Sequence, residues 1–215
     1  MLNIKAFQFN MFGVNTYVVW DPVTLDAAII DPGMINRSEE AVLDSFVEKE
    51  KLNVTQLVNT HMHVDHTFGV PHIRNRYGIE LKASPDDTFL GRQAPAQARM
   101  FGLDASNVEP VEANVALSDG DHITVGSEEA IVLGVPGHSP GSLVLYFPQS
   151  AFVITGDVLF EGSIGRTDLV AGNHQQLIDG IKRKLLSLPD NTKVYPGHGS
   201  PTTIGAEKKS NPYLR

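Results

Sequence analysis

Short apolar runs constrain the fold of this chain more than any other feature of its sequence. Runs of four to six residues that are rich in Val, Ile and Tyr and bounded by Gly, Pro, Asp or Asn are typical of β-strands. They lie at residues 16–20, 27–30, 56–59, 130–135, 142–147 and 151–155. Several of them are apolar on both faces, which predicts sheets that are covered on each side.

Helical patterns occur between and after these runs. Three predicted helices each begin at a residue that can cap the N-terminus. They extend from Ser38 to about Lys51, from Ser84 to about Phe101, and from Asn173 to just before Pro189. We expect the first helix to bury Val42, Phe46 and Val47, which recur at helical spacing. Together the strands and helices predict an α+β fold, a four-layer αββα sandwich in which helices cover two stacked sheets.

The length and composition indicate one ordinary globular unit. A chain of 215 residues is long enough for one well-buried core and short for two, so we predict a single domain over residues 1–215. It has no apolar run of membrane-spanning length and no export signal, so we expect a cytoplasmic protein without membrane contact. A net charge of −8 and a pI near 5.4 disfavour nucleic acid as a partner.

The stretch THMHVDH at residues 60–66 is the first candidate metal site. His61 and His63 are two residues apart, so their side chains point the same way if the segment is extended. Asp65 and His66 follow where the chain turns. Because the chain has no cysteine, any metal must be held by imidazole and carboxylate groups. The alternative is a group of solvated loop histidines.

Three more candidate donors follow strand-like runs. His138 follows residues 130–135, Asp157 follows residues 151–155, and His198 comes just after residues 193–195. Each stands beside a glycine, which lets backbone and ion approach closely. The ends of strands in two stacked sheets can meet at one edge, so this pattern favours a metal site over solvated histidines.

Five histidines and two aspartates are too many donors for one tetrahedral zinc ion and suit two divalent ions in adjoining sites. We assign His61, His63 and His138 to one ion, Asp65, His66 and His198 to the other, and Asp157 to a bridging position. Asp65 and Asp157 are the candidate catalytic carboxylates. A hydroxide that bridges the two ions is the expected nucleophile. Zinc is the first expectation for the metal, with iron and manganese as alternatives.

The motif H-x-H-x-D-H at residues 61–66, followed in order by His138, Asp157 and His198, resembles the metallo-β-lactamase superfamily. The resemblance covers nearly the whole chain. It implies an αββα sandwich with the metal ions at one edge. It also implies that Asp31 supports the ligands from behind, while a simple turn at Asp-Pro-Gly is the alternative for that residue.

The stretch TGDVLFEGSIGRTDL at residues 155–169 is similar to the short hydroxyacylglutathione hydrolases, the type II glyoxalase II enzymes. This similarity implies hydrolysis of small-molecule thioesters such as S-lactoylglutathione. About seventeen residues follow His198, too few for the separate C-terminal helical domain of the longer glyoxalase II enzymes. The acyl group, the thiol carrier and the oligomeric state are left open.

Two features near the candidate site have alternative interpretations. Arg166 and Asp168 form a buried ion pair that supports their loop, or Arg166 binds a substrate carboxylate; we favour the ion pair. The helix from Ser84 covers the site, or it presents Arg92 and Arg99 on a solvated face; we favour the solvated face.

Other functions compete with thioester hydrolysis. Persulfide dioxygenases share the implied fold and carry a similar GRTD stretch, but they use a single iron ion on two histidines and one aspartate. A lactonase would direct the same hydroxide at an ester. A domain that only binds metal is disfavoured, because a structural zinc site closes its coordination with four ligands.

Overall fold

Two six-stranded β-sheets form the centre of the computed structural model, which describes residues 1–215. The first sheet contains, in spatial order, β1 (Asn3–Phe9), β2 (Val14–Trp20), β3 (Asp26–Ile30), β4 (Asn53–Val58), β5 (Leu81–Ala83) and β6 (Val115–Ala116). The other strands are β7 (His122–Val125), β8 (Glu128–Gly134), β9 (Leu143–Phe147), β10 (Phe152–Gly156), β11 (Leu159–Phe160), β12 (Ser163–Ile164), β13 (Lys193–Pro196) and β14 (Thr202–Thr203). The second sheet has the order β14-β13-β10-β9-β8-β7, and β11 and β12 form a separate hairpin.

Helices cover the outer face of each sheet. They are α1 (Arg37–Lys49), α2 (Val64–Thr67), α3 (Val70–Tyr77), α4 (Thr88–Arg92), α5 (Ala94–Met100), α6 (His174–Gly180) and α7 (Ile204–Ser210), with a 3₁₀ turn at Pro85–Asp87 and a π-helical turn at Ile181–Leu185. One apolar cluster joins the first sheet to α1 and α3 through Leu43 and Ile73. A second fills the space between the sheets, and a third joins the second sheet to α6 through Leu177. The predicted αββα sandwich is therefore confirmed.

The six apolar runs lie in β2, β3, β4, β8, β9 and β10. β2 and β3 are buried along nearly their whole length, as runs that are apolar on both faces predict. β1 lacks that pattern because it is the edge strand of its sheet, pairs only with β2 and is largely exposed. An edge strand needs fewer apolar side chains than a central one.

Parallel pairing sets the positions of the strand ends. β3, β4, β5 and β6 run parallel to one another, and β10 runs parallel to β13. Parallel neighbours need long crossover connections, which contain the helices of the outer layers. The carboxyl ends of the parallel strands in a sheet consequently lie at one edge, where the segments after β4, β10 and β13 begin.

The N-terminal cap of α1 differs from the expectation. The helix begins at Arg37, and Asn36 caps it instead of Ser38. The Asn36 Oδ1 atom accepts hydrogen bonds from the backbone N–H groups of Ser38 and Glu39, both at 3.0 Å. An asparagine at this position is as good a cap as a serine, and its extended backbone fits the role.

The buried face of α1 is also shifted by one position. Val42, expected in the core, is 53% exposed, whereas its neighbour Leu43 is fully buried. Val47 is buried and Phe46 partly buried, as expected. The sequence offers Val42 and Leu43 as adjacent candidates, and packing against the first sheet selects Leu43.

The predicted continuous helix from Ser84 to Phe101 is wrong. Ser84 does cap a helical start, since its Oγ accepts a hydrogen bond from the backbone N–H of Asp86. The chain then bends at Gln93, between α4 and α5. Pro95 lies in the first turn of α5, where its missing N–H costs nothing, but inside a longer helix it would remove a hydrogen bond.

The third predicted helix is present as α6 and the π-helical turn that follows it. Asn173 caps α6 by accepting a hydrogen bond from the backbone N–H of Gln176 at 3.0 Å, and the π turn ends at Leu185, before Pro189. None of the helices combines the length and the apolar character needed to cross a bilayer.

Substitution of Asn36 tests the revised cap of α1. We expect Asn36→Ala to lower the free energy of unfolding by about 1 kcal/mol, because two backbone N–H groups lose their acceptor. Ser38→Ala is the control, because it removes only a hydroxyl that donates to the same Asn36 oxygen and leaves the cap in place, so it should change this free energy by less than about 0.5 kcal/mol. Urea unfolding of both variants measures the difference, and a larger loss for Ser38→Ala would return the cap to Ser38.

Candidate metal centre

Four segments that follow strands bring the seven candidate donors together at one edge of the sandwich. The segment after β4 carries four of them, the loop between β8 and β9 carries His138, β10 leads into Asp157, and β13 leads into His198. A hydrogen bond from the backbone N–H of Leu143 to the carbonyl of Thr60 joins the two sheets beside the cluster at 2.8 Å. All seven residues singled out in the sequence therefore meet.

His61, His63 and His138 form the first group of donors. Each offers one ring nitrogen, and these atoms lie within 4.8 Å of one another. His63 Nδ1 is 2.9 Å from His138 Nε2. The rings of His61 and His63 meet edge to face with their centroids 4.9 Å apart, so both side chains lie on the same side of the segment, as their spacing in an extended segment predicts.

Asp65, His66 and His198 form the second group, and their donor atoms also lie within 4.8 Å of one another. The Nε2 atoms of His66 and His198 are 3.3 Å apart, and Asp65 Oδ2 is 3.2 Å from His198 Nε2. The short helix α2 places Asp65 and His66 in one turn, so that both face the cluster although they are adjacent in sequence.

Asp157 lies between the two groups. Its Oδ2 atom is 3.6 Å from His138 Nε2 on one side and 3.6 Å from His198 Nε2 on the other. Its Oδ1 atom is 3.5 Å from His66 Nε2, and Asp157 also forms a third possible trio with His61 and His66. A carboxylate in this position can reach a cation on either side.

Three buried atoms of the cluster residues lack any hydrogen-bond partner, namely His61 Nε2, His66 Nδ1 and Asp157 Oδ1. His66 Nδ1 lies 3.1 Å from the Asp31 carboxylate, and all three residues belong to one possible trio of metal ligands. Buried polar atoms in proteins are nearly always paired, so unpaired atoms that converge on one point suit a bound cation. The donors are imidazole nitrogens and carboxylate oxygens, which zinc, iron and manganese accept. The cluster thus fits a dinuclear metal site by the chemistry and arrangement of its donors.

Burial and neighbouring charges shift the pKa values of the cluster histidines in opposite directions. Burial, with the neighbouring His138, lowers the pKa of His63 to about 4, and burial lowers the pKa of His61 well below its ordinary value. Burial also disfavours the charged form of His66, but the carboxylates around it, led by Asp65, outweigh burial and raise its pKa well above the ordinary value. At neutral pH His61 and His63 therefore keep free lone pairs, which is the form that binds a metal ion.

The pKa of the Asp157 carboxylate shifts in the opposite direction to that of His66. Burial alone would raise its pKa, but the positive charge of His66, whose Nε2 atom lies 3.5 Å from Asp157 Oδ1, lowers the pKa well below the ordinary range. Asp65 shows the same balance, with burial opposed chiefly by His66, and its pKa is also lowered. Both carboxylates consequently remain ionised inside the protein, which favours a cation between them.

Asp31 contacts the cluster from behind, as the resemblance implies. Its carboxylate accepts hydrogen bonds from the backbone N–H and the Oγ1 hydroxyl of Thr60, both at 2.7 Å, and lies 3.1 Å from His66 Nδ1. Asp31 is fully buried and has a positive φ of 52° at the end of β3. The contact leaves His66 Nε2 facing the other donors.

Backbone carbonyl groups fix two other imidazoles. His138 Nδ1 donates to the carbonyl of Arg166 at 2.8 Å, and His198 Nδ1 donates to the carbonyl of Phe12 at 3.0 Å when these nitrogens carry the proton. Each bond selects the tautomer whose Nε2 lone pair points into the cluster. These contacts come from a loop and a hairpin far away in sequence.

The ion pair between Arg166 and Asp168 forms, but it is not buried. The guanidinium donates two hydrogen bonds to the carboxylate at 2.8 Å, while the two side chains are 57% and 70% exposed. The expected burial is therefore wrong, because the loop after β12 crosses the surface. Arg166 supports the cluster through its main-chain carbonyl, which the residue type does not reveal.

Asp87 is a supporting residue that the sequence analysis missed. It is fully buried, and its carboxylate accepts hydrogen bonds from the Ser139 hydroxyl at 2.7 Å and from the backbone N–H groups of Gly141 at 2.7 Å and Met62 at 3.1 Å. Burial raises its pKa. Met62 lies between two candidate ligands and Ser139 follows a third, so Asp87 joins two ligand segments. In the sequence it has the spacing of a helix-capping residue, which hides this role.

Asn59 stabilises the first ligand segment from within. Its side-chain amide donates to the carbonyl groups of His61 at 3.2 Å and His66 at 2.8 Å, and so closes the turn that contains four candidate donors. Asn59 is fully buried at the end of β4. Its only sequence signal is its place directly before the motif.

The glycines beside the donors are needed for close approach, as expected. A Cβ atom at Gly197 would lie 2.2 Å from Asp157 Oδ1, and one at Gly165 would lie 1.8 Å from the carbonyl oxygen of Asp157. Contacts this short exclude any other residue unless the backbone moves. Glycine at these two positions thus holds the central carboxylate in place.

A cavity of about 320 Å³ opens above the cluster. Candidate donors form its floor. Its wall comes from the β1–β2 hairpin, from α4 and α5, and from the loop after β12. The wall residues are Phe12, Leu90, Gln93, Gln97, Met100, Phe101, Arg166, Leu169 and Val170. The helical segment after Ser84 therefore covers the site, contrary to the favoured interpretation. Arg92 does lie on the solvated side, where it pairs with Glu112.

Known proteins resemble this chain over its full length. The family model of the metallo-β-lactamase superfamily matches residues 10–198. The hydroxyacylglutathione hydrolase GloC of Haemophilus influenzae is 37% identical over 215 residues, which cover 99% of this chain and 98% of that protein. The crystal structure of the BLEG-1 B3 metallo-β-lactamase has a TM-score of 0.89 at 33% identity and covers 99% of both chains. TTHA1623, crystallised in a di-iron-bound form, has a TM-score of 0.85 at 34% identity and covers 98% of this chain and 100% of that one.

The similarity agrees with the geometry. The two mixed sheets lie between helical layers, and a cluster of histidines and aspartates lies at one edge. The relatives include a named hydrolase and a probable metallo-hydrolase, so geometry and similarity indicate the same family. The matched region includes the whole candidate site, from the H-x-H-x-D-H motif to His198. The chain belongs to the metallo-β-lactamase superfamily, and it is an enzyme of the metallo-hydrolase type.

Proposed function

We propose that this enzyme hydrolyses thioesters with the aid of two divalent metal ions, and that S-(2-hydroxyacyl)glutathione compounds such as S-lactoylglutathione are its first candidate substrates. The main support is the double group of donors joined by Asp157 beneath an open cavity. The stretch at residues 155–169 and the similarity to GloC favour thioesters among the possible substrates.

We assign His61, His63 and His138 to one ion and Asp65, His66 and His198 to the other, with Asp157 shared. Zinc is our first choice of metal, and iron or manganese would suit the same donors. When bound, such ions polarise a carbonyl oxygen and lower the pKa of water to around 7, so that hydroxide forms at neutral pH.

The residues of the cavity favour water as the nucleophile. Its lining contains no serine, threonine, lysine or cysteine side chain that could attack a carbonyl carbon. Asp65 and Asp157 both line the cavity and are ionised, so either carboxylate can accept a hydrogen bond from an attacking water molecule and orient it. These two carboxylates remain our candidate catalytic residues.

The residues behind the donors keep them aimed at the cavity before substrate arrives. Asp31 holds His66, and the carbonyl groups of Phe12 and Arg166 hold His198 and His138. Outer contacts of this kind raise metal affinity because they fix the ring orientation and the tautomer. Preorganised donors do not have to reorganise during the reaction.

Elemental analysis combined with two assays tests the proposed function. We expect two metal equivalents per chain and hydrolysis of S-lactoylglutathione in the absence of oxygen, because the donors form two groups and no redox step is needed. Thiol release and oxygen consumption are measured in parallel. A single iron per chain with oxygen uptake on glutathione persulfide would instead identify a persulfide dioxygenase, and faster turnover of a lactone would identify a lactonase.

Replacement of a donor tests the assignment of the cluster. We expect His138→Ala to retain fewer than two metal equivalents and to lose thioesterase activity by at least about 100-fold, since loss of an outer contact alone costs about 10–100-fold. His122→Ala is the matched control, because His122 lies at the surface in β7 with its side chain 53% exposed. Equal activity and metal content in the two variants would contradict the assignment.

The role of Asp87 can be tested with its exposed neighbour as the control. Asp87→Asn replaces one acceptor oxygen by an NH₂ group that faces other donors, so we expect the free energy of unfolding to fall by about 1–3 kcal/mol. We also expect metal affinity to fall by about 10–100-fold. Asp86→Asn should change neither quantity. Urea unfolding and titration against a competing chelator measure both, and unchanged metal affinity in folded Asp87→Asn would limit Asp87 to a role in stability.

A further inference from the structure

The wall of the cavity is mainly apolar and exposed. Six of its residues are hydrophobic, and among them Met100 is 83%, Phe101 50% and Val170 67% exposed. Large apolar side chains grouped at the mouth of a cavity are typical of a surface that becomes covered when a ligand binds.

The polar side chains of the wall are largely engaged. Gln97 uses both ends of its amide, which accepts from the backbone N–H of Val64 and donates to the carbonyl of Leu90. Arg166 is the only cationic side chain in the wall, and its charge is offset by Asp168, which accepts hydrogen bonds from its Nε and Nη2 groups. The wall therefore offers no free positive charge to a carboxylate.

The glutathione carrier does not match such a wall. Glutathione has two carboxylates and an ammonium group, each of which needs a charged partner if it leaves water. A volume of about 320 Å³ is near the lower end of the range for small-molecule sites, about 300–1,000 Å³.

From these contacts we infer that the cavity wall binds a short, uncharged, apolar acyl segment of the thioester, while the charged parts of the thiol carrier stay in solvent. This inference rests on the proposed function and specifies the substrate class of the same site. The enzyme would then select its substrates by the acyl chain and tolerate different carriers.

Phe12 and Phe101 are the residues of the wall on which this selection depends most. Their rings meet edge to face with centroids 5.2 Å apart, and so connect the β1–β2 hairpin to the end of α5 across the mouth. Phe12 also holds His198 through its carbonyl group, so its replacement would disturb the cluster itself. The hydrogen bonds of Phe101 do not involve any candidate donor. Phe101 is therefore the better position for a test.

The test uses the metal-loaded enzyme and acetyl, butyryl and hexanoyl thioesters of two carriers, glutathione and the uncharged thiol N-acetylcysteamine. We expect kcat/KM to rise about two- to fourfold per added CH₂ group, the upper value corresponding to complete burial. The two carriers should differ by less than about threefold. In Phe101→Ala the rise per CH₂ group should fall below about twofold, because part of the apolar wall is removed.

Val23→Ala is the matched control, since Val23 is an exposed apolar residue in the turn between β2 and β3, at the opposite end of these strands. It should keep the chain-length dependence. A flat series, or a preference of tenfold or more for the glutathione carrier, would overturn the inference.

A binding series separates this inference from the proposed function. Calorimetric titration with S-ethyl, S-butyl and S-hexyl thioethers of N-acetylcysteamine measures recognition without hydrolysis. If no thioester is hydrolysed but affinity rises with chain length in the wild type and not in Phe101→Ala, the apolar site stands and the proposed reaction fails. If neither rate nor affinity depends on chain length, the apolar site is refuted.

Discussion

The convergence of strand ends at one edge of the sandwich is the constraint on which the rest of this structure depends. Parallel pairing of β4 with β3 and of β13 with β10 directs three donor-bearing segments to that edge, and the loop between β8 and β9 supplies the fourth. The donors then lie close enough for their nitrogen and oxygen atoms to share cations. Two ionised carboxylates among buried imidazoles need positive charge beside them, which His66 supplies in this structure and which a bound cation would also supply.

The surrounding residues convert this cluster into a preorganised site. Asp87 joins the segment after β4 to the loop before β9, and Asn59 closes the turn within the first of these. Carbonyl groups of Phe12 and Arg166 determine which nitrogen of two histidines faces inwards. Because these contacts come from both sheets, they connect the two layers of the sandwich at the cluster.

The elements that support the cluster also form the cavity above it. The β1–β2 hairpin holds His198 through the backbone of Phe12 and contributes the Phe12 ring to the wall, and the loop after β12 does the same for His138 while it contributes Leu169. The bend at Gln93 separates α4 from α5, and both helices contribute apolar residues to the wall. In the proposed function, metal binding and substrate recognition depend on the same segments, so both would change when one of these loops changes.

The sequence by itself determined the central strands, the αββα class and the set of donor residues, because periodicity, glycine and histidine placement are local signals. It did not determine the face of α1 that is buried, the bend before Pro95 or the exposure of the pair formed by Arg166 and Asp168. Only the tertiary structure showed that Asp87 connects two ligand segments and that α4 and α5 cover the site. The physical reason is that these roles depend on contacts between residues distant in the chain, and Asp87 has the same local pattern whether it caps a helix or accepts hydrogen bonds from a loop about fifty residues away.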